Sequence, residues 1–224
     1  MPASDVDLDS IVLSSTWRVA GTVGGDYLAA FPVGPDWAAL CVADVSGKGL
    51  PAALLMSNLQ AALKSAASEN VTPVELCSQL NKLLNVNLPM NRFITCFYGL
   101  VDLRQRILHF TNAGHTPALL VRGSGRVVRL HTGGCVLGAF PDSTYEQGEV
   151  DLYSGDRLAL FTDGVTEARN ASGEEFGELR LRQLLSREHH RAAADLQQMA
   201  MSRVSEFCAG HFEDDAALMV LEVR

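Results

Sequence analysis

The chain has 224 residues, 47% of them hydrophobic and 20% charged, with a formal net charge of −8. That length and composition suit one folded domain rather than a disordered chain, and the negative surplus argues against non-specific nucleic-acid binding. No eighteen apolar residues run together, which excludes a membrane-spanning helix, and the acidic opening MPASDVDLDS lacks the basic and apolar segments of a secretion signal.

The elements read as follows in chain order. TWRVAGTV (16–23), YLAAFPV (27–33) and WAALCVADV (37–45) are rich in β-branched or aromatic residues and separated by GG and GPD, which predicts three successive strands. From Leu50 to Ser68 the pattern turns to Ala, Leu, Met and Gln with Pro51 in the first turn, a helix signal. A second helix is predicted from Pro73 to Leu88, where Val74, Leu76, Leu80, Leu83 and Leu84 recur at helical spacing. After Met90, strands return as ITCFYGLVDL, ILHFTNA, ALLVR, VVRL, YEQGEVDL and RLALFTD, joined by short turn sequences. Helices follow near Glu178 to Ser186 and Ala192 to Phe207, and ALMVLEV closes the chain as a strand. This order favours an α+β layered domain with largely antiparallel sheets over a βαβ fold. The five cysteines, at 41, 77, 96, 135 and 208, are scattered and mostly lie in apolar runs. They imply buried free thiols in a reduced, cytoplasmic setting.

Four acidic positions share one context. Asp26 ends GGD, Asp44 ends VAD, Asp163 ends LFTD, and Asp214 with Asp215 stands before the last strand. Each is placed at a strand terminus beside a glycine or a turn, where carboxylates can converge on a hard divalent cation such as Mg²⁺ or Mn²⁺. Two such ions lower the pKa of a water between them and hold a phosphoryl oxygen for in-line attack. Taken singly, an aspartate in this context is ordinary turn chemistry.

Other chemistries fail against the letters. In VADVSGKG a nucleotide P-loop would need glycine at Val42 and a hydroxyl residue at Gly49, and a nucleophile elbow at Ser46 would need glycine at Asp44. No cysteine has arginine six residues on, and neither C-x-x-C nor H-E-x-x-H occurs. GGDY shares letters with the diguanylate-cyclase signature but lies too near the N-terminus to follow that domain's upstream elements.

Six motifs in order nevertheless carry a resemblance: GGDY (24–27), VADVSGKGLPAALLM (42–56), RFITCFYGLVD (92–102), TNAGHTPALL (111–120), LFTDGVTEARN (160–170) and FEDDAALMVLEV (212–223). The chain resembles the SpoIIE-like bacterial branch of the PPM metal-dependent serine/threonine phosphatases over residues 18–224, with 1–17 as a lead-in. The resemblance implies a four-layer αββα sandwich, two largely antiparallel central sheets flanked by helix pairs. It implies hydrolysis of phosphoserine or phosphothreonine by a water activated at two Mn²⁺ or Mg²⁺ ions, without a covalent intermediate.

Carried over by motif, Asp44 bridges both ions, the Val45 carbonyl completes one site, Asp163 and Asp214 hold the other ion, and Asp26 serves the remaining one directly or through its water. Gly47 and Gly49 let the chain turn sharply past Asp44. Lys48 reads either as a solvated turn lysine or as a group approaching the substrate phosphate. Asn112, Gly114 and His115 repeat the family's NAGH, where histidine is ordinarily a structural hydrogen-bonder. Thr162, Thr166 and Asp215 stand ready to steady Asp163 and its surroundings.

Two departures stand out. Leu28 and Ala29 replace an aromatic residue and an aspartate common after GGD[FY], and DVSGKG lacks the histidine that eukaryotic relatives carry after the bridging aspartate. The resemblance further implies a phosphorylated STAS-domain (anti-anti-sigma-like) substrate and a partner switch; the segment from Leu50 to Leu63, directly behind Asp44, is where a sensor or regulatory partner is expected to act. The reading from another class is a PPM-fold binding module that has lost turnover and sequesters a regulatory partner. A metal-dependent nucleotide hydrolase is disfavoured, since no base pocket or glycine-rich nucleotide motif is evident.

Overall fold

Two largely antiparallel sheets and five helices make up the computed structural model, which describes residues 6–8, 10–89 and 91–224. The opening of the expected lead-in, residues 1–5 and residue 9, lies outside the described residues. In chain order the strands are β1 (Val6–Leu8), β2 (Ile11–Arg18), β3 (Tyr27–Gly34), β4 (Trp37–Val45), β5 (Ile94–Asp102), β6 (Ile107–Ala113), β7 (Ala118–Val121), β8 (Val127–Leu130), β9 (Gly133–Gly134), β10 (Gly148–Asp151), β11 (Arg157–Phe161) and β12 (Ala216–Val223). The helices are α1 (Leu50–Ala66), α2 (Pro73–Asn87), α3 (Asp163–Thr166), α4 (Gly177–Arg187) and α5 (Ala193–Phe207). The chain divides into two compact units, one of Val23–Pro117 with His131–Asp151, the other of residues up to Thr22 with Ala118–Leu130 and Leu152–Arg224.

The first of these units is built on the sheet β10-β6-β5-β4-β3, with β9 added in parallel to β6. Strand alternation divides its residues between two faces. Ala39, Cys41, Ala43 and Val45 of β4, with Ile94, Cys96 and Tyr98 of β5, pack with Leu59 and Leu63 of α1 and Leu76, Leu80 and Leu84 of α2. Asp44 therefore belongs to the set pointing to the opposite face. The sulfurs of Cys41 and Cys96 lie 3.7 Å apart in this core, and burial raises the Cys41 and Cys77 thiols well above their usual range. Neutral thiols of this kind behave as small hydrophobes. Cys135 alone of the five is exposed, against expectation.

Both helices of this unit have legible starts. Gly47 (φ 97°) and Gly49 (φ 75°) take the left-handed conformations that let the chain leave β4 and enter α1, with Pro51 in the first turn. Thr72 and Glu75 form a reciprocal capping box on α2: the Glu75 N–H donates to the Thr72 hydroxyl, and the Thr72 N–H donates to the Glu75 carboxylate at 2.9 Å. Thr72→Ala is expected to cost about 1 kcal/mol, read as a lower urea midpoint at unchanged slope. The Thr72 backbone and hydroxyl hold the Glu75 carboxyl below its usual range. A carboxyl lowered in this way stabilises above its unfolded value of about 4.3 and loses that contribution as pH falls through the lower folded value. The gap between wild type and Thr72→Ala should accordingly narrow below about pH 4.

The second unit is the sheet β1-β2-β12-β11-β7-β8. Leu119, Val121, Ala159, Phe161, Leu218 and Val220 cover one face and meet Leu181 and Leu185 of α4 and Leu196, Ala200 and Val204 of α5. β2 pairs with β12 along its whole length, Ile11 opposite Val223 and Arg18 opposite Ala216. The strand expected at 16–23 thus lies earlier: Ile11 and Leu13 are buried at alternate positions, while residues 19–23 leave the sheet and expose Val19 and Val23. The strand expected to run through Asp163 ends at Phe161, and Asp163 opens the short helix α3. Among the described residues no helix is long and apolar enough to cross a membrane.

Candidate functional site

In the first unit the pairing register assembles a row of polar residues across neighbouring strands. Tyr27 pairs with Ala43, so the β3–β4 register, continued to the residue before β3, leads Asp26 toward Asp44; on the other side Asp44 pairs with Thr95 of β5. Opposed residues of an antiparallel pair keep their Cβ atoms about 4.5–5.5 Å apart. Asp26, Asp44 and Thr95 all belong to the face turned away from α1 and α2, since Tyr27, Val45 and Cys96 belong to the helix-side core. Beyond Thr95 the row reaches the turn after β6, where the Thr95 hydroxyl and His115 Nδ1 are 2.7 Å apart.

The turns around this row are held tightly. Asn112 Oδ1 accepts from the His115 N–H at 2.7 Å and Asn112 Nδ2 donates to the His115 carbonyl at 2.9 Å, which closes the NAGH turn around Gly114 (φ 68°). Past Asp44, the Ser46 N–H donates to the Phe93 carbonyl, the Phe93 N–H donates to the Ser46 hydroxyl, and the Arg92 guanidinium donates to the Ser46 carbonyl. A Cβ at Gly25 would stand 3.2 Å from the Val45 carbonyl oxygen and 3.2 Å from the Ala52 Cβ, so the glycine lets the chain pass close to that carbonyl and to α1. Lys48 is exposed.

The second unit contributes a separate carboxylate pair. Thr162 is locked to the start of β12, its N–H donating to the Ala217 carbonyl and its hydroxyl accepting from the Ala217 N–H at 3.0 Å. Gly164 lies against the backbone oxygens of Asp214 and Asp215, which brings Asp163 beside Asp214. Asp214 Oδ1 accepts from the Asp215 N–H, and Asp215, 8% exposed, accepts from the Ala20 N–H at 2.9 Å. The expected support from threonines takes a different form: the Thr166 hydroxyl donates to the Asp163 backbone carbonyl, so Thr162 and Thr166 fix the main chain at Asp163. Partial burial and then the charges of Asp163, Glu175 and Asp214 raise the Glu167 carboxyl above its usual range.

Within either unit, among the described residues, no three His, Cys, Asp or Glu side chains form a ready metal cage. Each unit instead brings two aspartates to neighbouring stretches of backbone, Asp26 with Asp44 and Asp163 with Asp214. Asp26 is only 3% exposed beside Asp44, and like charges so placed repel unless a cation, a proton or hydrogen-bond donors neutralise them. An all-oxygen set of carboxylates and a backbone carbonyl suits Mg²⁺ or Mn²⁺, so the residues fit the implied ions.

The two departures after GGDY fall on different faces. Ala29 sits in the helix-side core with Cys41 and Leu59, whereas Leu28 alternates onto the Asp26 face. Alanine at position 29 therefore takes no carboxylate from the row. Gly25, Thr95 and Gly164 belong to the site's surroundings without a mark in the letters. Their signal is pairing register and close backbone approach, which the sequence alone does not display.

Comparison with known proteins adds the following. The family described as Stage II sporulation protein E (SpoIIE) matches residues 34–224. Over 155 residues the chain is 34% identical to phosphoserine phosphatase RsbU of Bacillus subtilis, covering 69% of this chain and 46% of that protein. It is 29% identical over 214 residues to protein IcfG of a Synechocystis species, covering 83% of this chain and 34% of that one. The chain thus spans less than half the length of either relative. Among solved structures it is similar to the RsbU and RsbW domains of a Mycobacterium tuberculosis protein, with a TM-score of 0.85 and 25% identity over 96% of this chain and 60% of that one. The SiaA-PP2C domain of Pseudomonas aeruginosa has a TM-score of 0.85 at 22% identity, covering 95% of this chain and 86% of its own. RsbX in complex with magnesium has a TM-score of 0.73 at 15% identity, covering 99% of both chains.

Proposed function

The chain belongs to the Stage II sporulation protein E (SpoIIE) family, and from that premise we propose that it is a metal-dependent protein phosphatase acting on phosphoserine or phosphothreonine. The observation that carries the reading is the β3–β4 register, which leads Asp26 toward Asp44 on one sheet face, beside a Val45 carbonyl that Gly25 approaches closely. The RsbU relative, a phosphoserine phosphatase by name, and the magnesium complex of RsbX support the same chemistry.

In this reading Asp26, Asp44 and the Val45 carbonyl of one unit and Asp163 and Asp214 of the other would hold the Mn²⁺ or Mg²⁺ ions. Bound ions of this type supply Lewis acidity, lowering the pKa of a water and drawing charge from the phosphoryl group. The protein's own part is to fix the carboxylates before substrate arrives: the bonded turn at Ser46 and Phe93 holds Asp44, and the Thr162–Ala217 bonds hold the chain at Asp163. We assign the substrate to the STAS class, a small phosphorylated regulator in a cytoplasmic partner switch. A sensor or regulatory partner sets its activity.

The binding-module reading gains little from Leu28 and Ala29, because neither replacement removes a carboxylate from the Asp26–Asp44 row. The deciding experiment is phosphate release by the full chain from a phosphoserine-bearing STAS protein, with Mn²⁺, with Mg²⁺ and with EDTA. Release that requires a divalent ion is the expected result. Metal and STAS binding by calorimetry without release would replace the phosphatase with the binding module, and an absence of metal binding would remove the site.

A further inference from the structure

The cross-strand row continues past the carboxylates, and its last two members are a hydroxyl and an imidazole in hydrogen-bond contact. Thr95 faces Asp44 in the β4–β5 register, with Asp26 on the other side of Asp44. His115 is 6% exposed, and its Nδ1 lies 2.7 Å from the Thr95 hydroxyl oxygen. The imidazole cannot drift from this position easily, because Asn112 grips the His115 backbone at both its N–H and its carbonyl. Asn112 itself is 4% exposed and sits at the end of β6, paired with Phe97 of β5, so the turn and Thr95 are carried by adjacent strands of one sheet.

A threonine hydroxyl has one proton to donate and can accept in return. If His115 carries its proton on Nδ1, the imidazole donates to the threonine oxygen and the hydroxyl proton is left for the neighbouring carboxylate. Hydrogen bonds to ionised carboxylates are among the stronger ones, and partners behind a metal ligand fix its orientation and basicity. We propose that Thr95 and His115 form a positioning pair for Asp44, in which His115 acts through the Thr95 hydroxyl and sets the carboxylate's readiness for a divalent cation. The inference rests on the assignment of Asp44 as a metal ligand. It gives the NAGH histidine a function separate from acid catalysis, at one hydroxyl's remove from the carboxylate.

The chemistry separates this role from simple packing. Thr95→Val keeps the shape and deletes the hydroxyl, whereas Thr95→Ser keeps the hydroxyl and deletes a methyl group. His115→Ala removes the imidazole while leaving the backbone bonds to Asn112 available. A pair acting as one unit is non-additive, so the double variant should cost no more than the worse single one.

The test is Mn²⁺ affinity of the full chain by calorimetry, with circular dichroism and metal-free melting of each variant alongside. Thr95→Val and His115→Ala should each weaken Mn²⁺ binding by roughly ten- to a hundredfold, Thr95→Ser should restore it, and the double variant should match the singles. Imidazole ¹⁵N shifts of the wild type should place the proton of neutral His115 on Nδ1. Unchanged affinity in a folded Thr95→Val, additive losses in the double variant, or a proton on Nε2 would overturn the positioning pair while leaving Asp44 as a ligand. Should His115→Ala fail to fold, Thr95→Val against Thr95→Ser decides alone. A wild type that binds no Mn²⁺ overturns the metal-site reading itself, and this inference with it.

Discussion

Asp44→Asn is expected to abolish metal-dependent phosphate release while leaving the fold intact. The substitution preserves size and exchanges a carboxylate for an amide, so strands β3, β4 and β5 keep their register. What is lost is the negative charge at the middle of the row, the one position with Asp26 on one side and Thr95 on the other. The fall in turnover should exceed the roughly 10- to 100-fold that loss of a supporting partner costs, because Asp44 is assigned to the ions themselves. Metal-free stability should move the other way. Asp26 is 3% exposed, and neutralising its neighbour relieves like-charge repulsion, so melting in EDTA should be unchanged or higher. The joint result of lost activity and undiminished stability is what a charge assembled for function produces. A variant that melts markedly lower without metal would make Asp44 a structural aspartate, and one that retains turnover would remove it from the chemistry.

The contrast between what the letters display and what they hide follows from the range of the forces involved. Strand β4 was legible end to end, since WAALCVADV is apolar at both alternating sets of positions and stops at an acid. Helices α1 and α2 are legible because Pro51 in a first turn and the helical spacing of Val74, Leu76, Leu80, Leu83 and Leu84 are local signals. The strand expected at 16–23 lies instead where pairing with β12 carries the ladder from Ile11 to Arg18, a partner that local composition does not display. LFTD reads as a strand that ends at Asp163, whereas Thr162 spends its bonds on Ala217 and releases the chain into α3. For the site, the kinds of residue were visible and their adjacency was not. That the β3–β4 register leads Asp26 toward Asp44, or that His115 reaches Thr95 across a separation of 20 residues, depends on pairing between strands rather than on local sequence.

Gly164→Ala is expected to be among the most damaging small substitutions in the chain. In LFTDGVTEARN the glycine reads as a simple turn residue, and its backbone does not require a left-handed conformation. Its constraint is space. A Cβ there would stand 2.0 Å from the Asp215 carbonyl oxygen, 2.8 Å from the Asp215 carbonyl carbon and 3.3 Å from the Asp214 oxygen. These are main-chain atoms, which cannot rotate away as a flexible side chain does. Nor can the two segments part freely, because Thr162 and Ala217 are joined by two hydrogen bonds and the Glu167 N–H ties α3 to the Asp163 carbonyl at 2.7 Å. Overpacking of such a site costs typically about 1–3 kcal/mol, and rigid backbone on both sides puts this position at or above the upper end. Gly173→Ala is the control: its φ of 79° penalises alanine by roughly 1–2 kcal/mol through conformation alone, with no atom within 4 Å to strike. Urea unfolding should therefore rank Gly164→Ala as the less stable variant. Asp163 and Asp214 flank the strained contact, so Gly164→Ala should also weaken Mn²⁺ binding, and Gly173→Ala should leave it unchanged. Equal stability of the two variants would mean that the 162–164 and 214–217 segments yield readily, in which case a rigid seat for Asp163 and Asp214 could not be part of how this chain prepares its carboxylates.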